Sequence, residues 1–173
     1  MRFGLAGGTM RLMAAMLCFC FPAVIAGQAG PQPGLPATDF TLPVLGGGEL
    51  HFADALGHPV LLNFWATWCK PCGKEMPAIL EAAASHASDG LVLISVNLAD
   101  QEDLGDVRRF VTRLGITGPV ALDKKGKVRE AYALTAMPTT VFIDRGGRIH
   151  SIVAGPLTPP TLQRGLAGIL DQR

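Results

Sequence analysis

No acidic residue occurs in the first 26 positions, and beyond them the chain holds only two cysteines, Cys69 and Cys72. The first absence marks an export signal, because "LMAAMLCFCFPAVIA" follows Arg2 and Arg11 and Val24-Ile25-Ala26 offers small residues for a peptidase. No apolar run reaches the roughly 20 residues of a spanning helix; Leu12 to Ala26 supplies about 15, broken by Pro22. An uncleaved membrane anchor over the same residues is the other reading, and Met10 offers a second start site. Cys18 and Cys20 leave with a cleaved segment, and Leu17 and Phe19 are too large to precede a lipid-bearing cysteine.

Charge of one sign is lacking too. The chain has 15 basic and 14 acidic residues. Without Arg2 and Arg11 it keeps 13 basic against 14 acidic, a net charge of −1, which steers nothing toward nucleic acid. A second cysteine pair and a spaced histidine pair are also missing, which excludes a closed structural zinc site. Haem attachment needs His after the second cysteine, where Gly73 stands. A brace between residues so close in sequence would remove little unfolded-chain entropy. In an exported chain, where disulfides persist, electron exchange is the role these exclusions leave for the pair.

The 173 residues suit one domain large enough to bury a core, with no internal repeat. Residues 27–36, "GQAGPQPGLP", read as a flexible linker, and 37–173 as the domain. "FTLPVLGGGELHF" predicts an N-terminal hairpin around Gly46-Gly47-Gly48. "VLLNFWA" after Pro59 predicts a strand buried on both faces. Helical spacing of Met76, Ile79, Leu80 and Ala83 predicts a helix over 70–88, with Pro77 as the site of a bend. A second buried strand, Leu91 to Asn97, implies a right-handed parallel crossover. Then come a helix over 100–114 closed by Gly115 with Val107, Phe110, Val111 and Leu114 inward, a short helix in "KVREAYAL", and two strands joined at Gly146-Gly147. A last helix over 159–170 turns Leu162, Leu166, Ile169 and Leu170 inward. The order predicts an α/β fold with a mixed central sheet and helices on both faces.

Cys69 falls where a buried strand passes into a helix. Unpaired amides and the positive end of the helix dipole there favour thiolate over thiol, which makes Cys69 the nucleophile. Pro71 fits the first turn, where its missing N–H costs little, and Lys70 adds minor positive charge. Cys72, one turn on and more buried, stays protonated until it resolves a mixed disulfide. Glu75 lies three residues further on the same face, beside Met76 and Ile79, where burial would raise its pKa toward that of a thiol. Read from its residues alone, it could equally be an exposed glutamate stabilising the first turns. Trp65 reads as core and Trp68 as an apolar lip over the disulfide, with redox-sensitive fluorescence. His51, His58, His86 and His150 are scattered, and Lys124, Lys125, Lys127 and Arg129 read as a solvated basic cluster.

"NFWATWCKPCGKEMP" and "MPTTVFIDRGGRI" resemble the thioredoxin superfamily, and within it the TlpA/ResA-like exported thiol-disulfide oxidoreductases, over residues 35–170. The resemblance implies the thioredoxin fold, a periplasmic or otherwise extracytoplasmic setting, and a functional glutamate at Glu75. Met137-Pro138 is a candidate cis peptide, a trans proline opening a strand being the other reading, and the resemblance sets this turn against the cysteines with the Met137 backbone pairing to an extended substrate. Cytoplasmic thioredoxins carry a buried aspartate where Asn63 stands, and an amide cannot accept that proton. Expected partners are proteins with cysteine pairs, apocytochrome c among them, and a membrane thiol-reducing electron donor. No organic cofactor or metal is expected. Three rivals remain open: an oxidant of the same fold, a peroxidase using Thr67 beside Cys69, and a Cu(I)-delivery module using both thiolates with Met76 or Met137.

Overall fold

The computed structural model describes Met1 and residues 30–171; the signal or anchor expected over 1–26 lies outside the described residues. Chain order is β1 (Thr41–Pro43), β2 (Glu49–His51), β3 (Val60–Trp65), α1 (Lys70–Ser85), β4 (Val92–Asn97) and α2 (Leu104–Leu114). Next come β5 (Val120–Leu122), α3 (Lys127–Ala131), β6 (Thr139–Ile143), β7 (Ile149–Ala154) and α4 (Pro159–Leu170). The main sheet has the order β5-β4-β3-β6-β7, with β3, β4 and β5 parallel and β6 and β7 antiparallel.

All six residues of β3 are buried, as a central strand covered on both faces requires. Its alternating side chains sort to two faces of the sheet and there enter three apolar clusters. Leu61 packs with Ile79 of α1, Phe142, and Leu162, Leu166 and Ile169 of α4. Trp65 joins Met76 of α1 and Val107 and Phe110 of α2, stacking on Phe110 with ring centroids 4.7 Å apart. Val60, Leu62 and Phe64 meet Phe40, Leu42 and Phe52 from the N-terminal region and Val128 and Tyr132 from the α3 side. Helices α1, α2 and α4 therefore cover one face, and α3 with the N-terminal chain covers the other.

The end of the segment expected to be a free linker is instead tied to the sheet. Ile149 N–H donates to Leu35 O at 2.9 Å, and Ala37 N–H to Gly147 O at 2.9 Å, along β7. Ten residues later Leu45 N–H donates to Val120 O at 2.9 Å on the opposite edge. One stretch of chain thus crosses the Phe40–Leu42 face and covers both sheet edges, which would otherwise invite pairing with other chains.

Three element boundaries differ from expectation. Strand β5 is absent from the expected order, being an edge strand of three residues, too short to show a period. Helix α2 starts at Leu104 because Asp103 caps it, accepting from Gly105 N–H at 2.7 Å. Helix α1 stops at Ser85 rather than 88, and residues 87–89 form a separate 3-10 turn that ends at Gly90 in the left-handed region. Among the described residues no helix is long and apolar enough to cross a membrane.

Candidate active site

The parallel strands β3 and β4 end on the same side of the sheet, and the loop leaving β3 carries the chemistry there, as is usual for α/β sheets. Cys69 is the N-cap of α1, in extended backbone, and its Sγ accepts the Cys72 N–H at 3.2 Å. An amide donor thus already points at the sulfur, and Pro71 occupies the first turn without losing a helix bond. Cys69 and Cys72 are joined as a disulfide with Cα atoms 5.3 Å apart. Both are buried, at 3% and 0% exposure. No acidic residue lies in the first turn of α1 to oppose a thiolate. Lys70 is exposed, and Trp68, at 54% exposure, stands out beside the disulfide.

Glu75 faces inward with Cys72, Met76 and Ile79 and is only 7% exposed. Its carboxylate has two fixed donors: Leu157 N–H at 2.7 Å and Asn63 Nδ2 at 3.2 Å. Burial raises its pKa above 4.5, and these two donors only partly offset the effect. Asn63 in β3 also donates to Thr140 Oγ1 at 3.0 Å, while its own Oδ1 is buried without a partner. The carboxyl of Glu75 and the amide of Asn63 are thus in contact, across the strand-to-helix connection.

Met137–Pro138 is a cis peptide bond at the entry to β6. Thr139 Oγ1 donates to Ala136 O at 2.7 Å, and Gly155 N–H donates to Pro138 O at 2.8 Å, holding the turn from both sides. Met137 is half-buried and packs against the cluster containing Trp65, Cys69 and Cys72. The same loop that anchors Pro138 through Gly155 also supplies Leu157 to Glu75, so the cis turn and the buried acid share a support.

Two residues of this region carry no signal of their role in the sequence. Glu102 reaches back 35 positions to accept from both the N–H and the hydroxyl of Thr67, and it accepts from Asn97 Nδ2 at 2.5 Å. It braces the loop entering Cys69, and it engages the hydroxyl on which the peroxidase reading relies. Arg129 is the other, and it departs from the basic cluster in which its sequence neighbours place it. Lys124, Lys125 and Lys127 are indeed exposed, but Arg129 is half-buried, 3.2 Å from Asp100, and borders a cleft with Trp68 and Met137. The histidines lie apart; His51 contacts Thr41 at 2.9 Å and His86 contacts Asp89 at 2.8 Å.

Comparison with known proteins matches residues 33–152 to the AhpC/TSA family. The chain is 36% identical over 158 residues to the thiol-disulfide oxidoreductase ResA of Geobacillus thermodenitrificans, covering 91% of this chain and 90% of that one. It is 39% identical over 140 residues to the thioredoxin-like protein YneN of Bacillus subtilis, covering 80% and 81%. Among solved structures, StoA from Bacillus subtilis is similar at 30% identity and TM-score 0.64, covering 77% of this chain and 98% of that one. A thiol:disulfide interchange protein of the thioredoxin family from Chlorobium tepidum is similar at 26% identity and TM-score 0.71, covering 82% and 99%.

Proposed function

The chain belongs to the AhpC/TSA family and is a thiol-disulfide oxidoreductase of thioredoxin fold; we propose that it works outside the cytoplasm, reducing disulfides of exported proteins. Apocytochrome c, whose paired cysteines must be reduced before haem attachment, is one candidate substrate class. The N-terminal segment delivers the domain across the membrane as a cleaved signal or holds it there as a tether.

In the reduced enzyme the Cys69 thiolate attacks one sulfur of a substrate disulfide. A Cys69–substrate bond forms, and the first substrate sulfur leaves as thiolate. Cys72 then gives its proton to Glu75 and attacks Cys69, closing the enzyme disulfide and releasing the second substrate thiolate. Two electrons pass from the enzyme pair to the substrate pair. The thiolates take up protons from solvent, and a membrane dithiol donor returns the enzyme to its starting state. The Met137 backbone offers strand-type pairing to the substrate, and Trp68 supplies an apolar surface beside the reacting sulfurs.

The observation that carries this reading is the placement of Glu75: one turn past Cys72, buried, and oriented by Leu157 and Asn63. A proton acceptor for a buried resolving thiol has to sit inside the protein. The test is Cys72→Ser expressed in the native compartment, which blocks resolution and leaves the substrate bound through Cys69. Capture of exported proteins through their paired cysteines is expected, together with a reduction potential nearer about −270 mV than about −120 mV. A potential at the oxidising end, with captured partners being reduced dithiols, would reverse the direction of flow.

A further inference from the structure

Beside the disulfide lies a cleft of about 380 Å³, walled by Trp68, Leu98, Arg129 and residues 134–137. Its walls are otherwise uncharged, and Arg129, with a side chain 34% exposed, brings the single charge to them. Asp100, which is not part of the wall, reaches one guanidinium nitrogen at 3.2 Å. A guanidinium carries five N–H donors, so one such contact orients the group and leaves donors for a second carboxylate. Met137, on the same wall, has no part in the β6 ladder or in any turn hydrogen bond described for this loop.

We propose that Arg129 is a specificity residue that favours substrates with Asp or Glu close to the cysteine under attack. The proposal rests on the reductase reading above and names the kind of protein segment that site prefers. A substrate strand paired to Met137 advances about 3.3 Å per residue, so side chains flanking its cysteine pass over this cleft. Trp68, Leu98 and Leu134 bring apolar surface to this open cleft, and the planar fork can meet both oxygens of a carboxylate there. A lysine in the same place would bring like charges together.

The test uses the full-length reduced enzyme and a set of disulfide-bonded peptides. Each carries a single Asp, Ser or Lys at a position moved from three residues before the reactive cysteine to three after it. For at least one position kcat/KM is expected to be about tenfold higher for Asp than for Lys, the low end for a charge-assisted bond, because solvent and Asp100 share the guanidinium. Arg129→Gln should erase the difference, Arg129→Lys should restore part of it, and Arg129→Glu should invert it. Reduction of the uncharged small disulfide bis(2-hydroxyethyl) disulfide serves as the readout of basal activity and should stay unchanged in the Gln and Lys variants. Equal rates at every position for Asp and Lys peptides, or a preference that survives Arg129→Gln, would overturn the assignment alone. Turnover of the small disulfide with none of the peptides would overturn the reductase reading, and the assignment with it.

Discussion

Replacing Glu75 with Gln removes a charge while keeping the shape of the side chain, and the groups around it set the cost. The Gln carbonyl can still accept from Leu157 N–H, which leaves its NH₂ facing Asn63 in place of the second carboxylate oxygen. Asn63 Oδ1 is buried without a partner, so a half-turn of the Asn63 amide presents an acceptor to that NH₂. One unpaired group is exchanged for another, and the fold should hold to within about 1 kcal/mol. Glu75→Ala, by contrast, orphans the Leu157 N–H and one Asn63 donor, at about 1–3 kcal/mol each.

The pH dependence has a definite sign. Burial raises the folded-state pKa of Glu75 above its ordinary 4.5, so the folded protein holds that proton more tightly than the unfolded chain does. Its contribution to stability is present below about pH 4.5 and is lost as pH rises through the raised value. The Gln variant should therefore gain in stability relative to the parent between pH 4.5 and 8 in urea titrations. The resolving step should meanwhile slow about 10²-fold, the lower range for loss of a general base, and follow the ionisation of Cys72 instead. Stopped-flow fluorescence across pH 4–9 reads that step. A variant that resolves at the parent rate throughout, or that loses ground as pH rises, would refute the reasoning.

Gly165 in α4 faces the ring of Phe142, where an added Cβ would lie 2.4 Å from two ring carbons. Gly165→Ala should lower stability by about 1–3 kcal/mol in urea unfolding, with disulfide exchange rates unchanged in the folded fraction. Trp68→Ala should cost less than about 0.5 kcal/mol, because the ring is 54% exposed, yet it should abolish the redox-linked fluorescence change and raise KM for peptide disulfides. Glu102→Gln should loosen the Thr67 loop, slowing attack by Cys69 more than resolution by Cys72 in single-turnover traces.

The elements framing the disulfide are legible because their signals are local. The apolar run of β3, the helix opening at Pro71, and Thr158, Pro159 and the 162/166/169 stripe of α4 each lie within a few residues. Strand β5 is not legible: its identity comes from pairing with β4 and from Leu45 on its free edge, both distant in sequence. Residues 34–36 look like a linker in composition, and their bonds to Arg148 and Ile149 give them structure. The site divides in the same way. Cys69 and Cys72 announce themselves by spacing at the opening of one helix, whereas Glu75, one turn further on, takes its expected role from the family resemblance. The partners that set their environment arrive from β3, the β7–α4 loop, the loop after β4 and α3. Asn63 stands out only as an amide in an acid's place, and nothing near Leu157, Glu102 or Arg129 marks them as neighbours of the disulfide.

The most direct measurement is the rate at which iodoacetamide alkylates Cys69 in the reduced protein as a function of pH, with Cys72→Ser removing the second thiol. If the N-terminal amides of α1 hold the sulfur as an anion, half-maximal alkylation falls well below the value of about 8.5 for a free cysteine. Alkylation that tracks free cysteine, in a protein whose disulfide does not exchange with glutathione buffers, would contradict the assignment of Cys69 as the nucleophile.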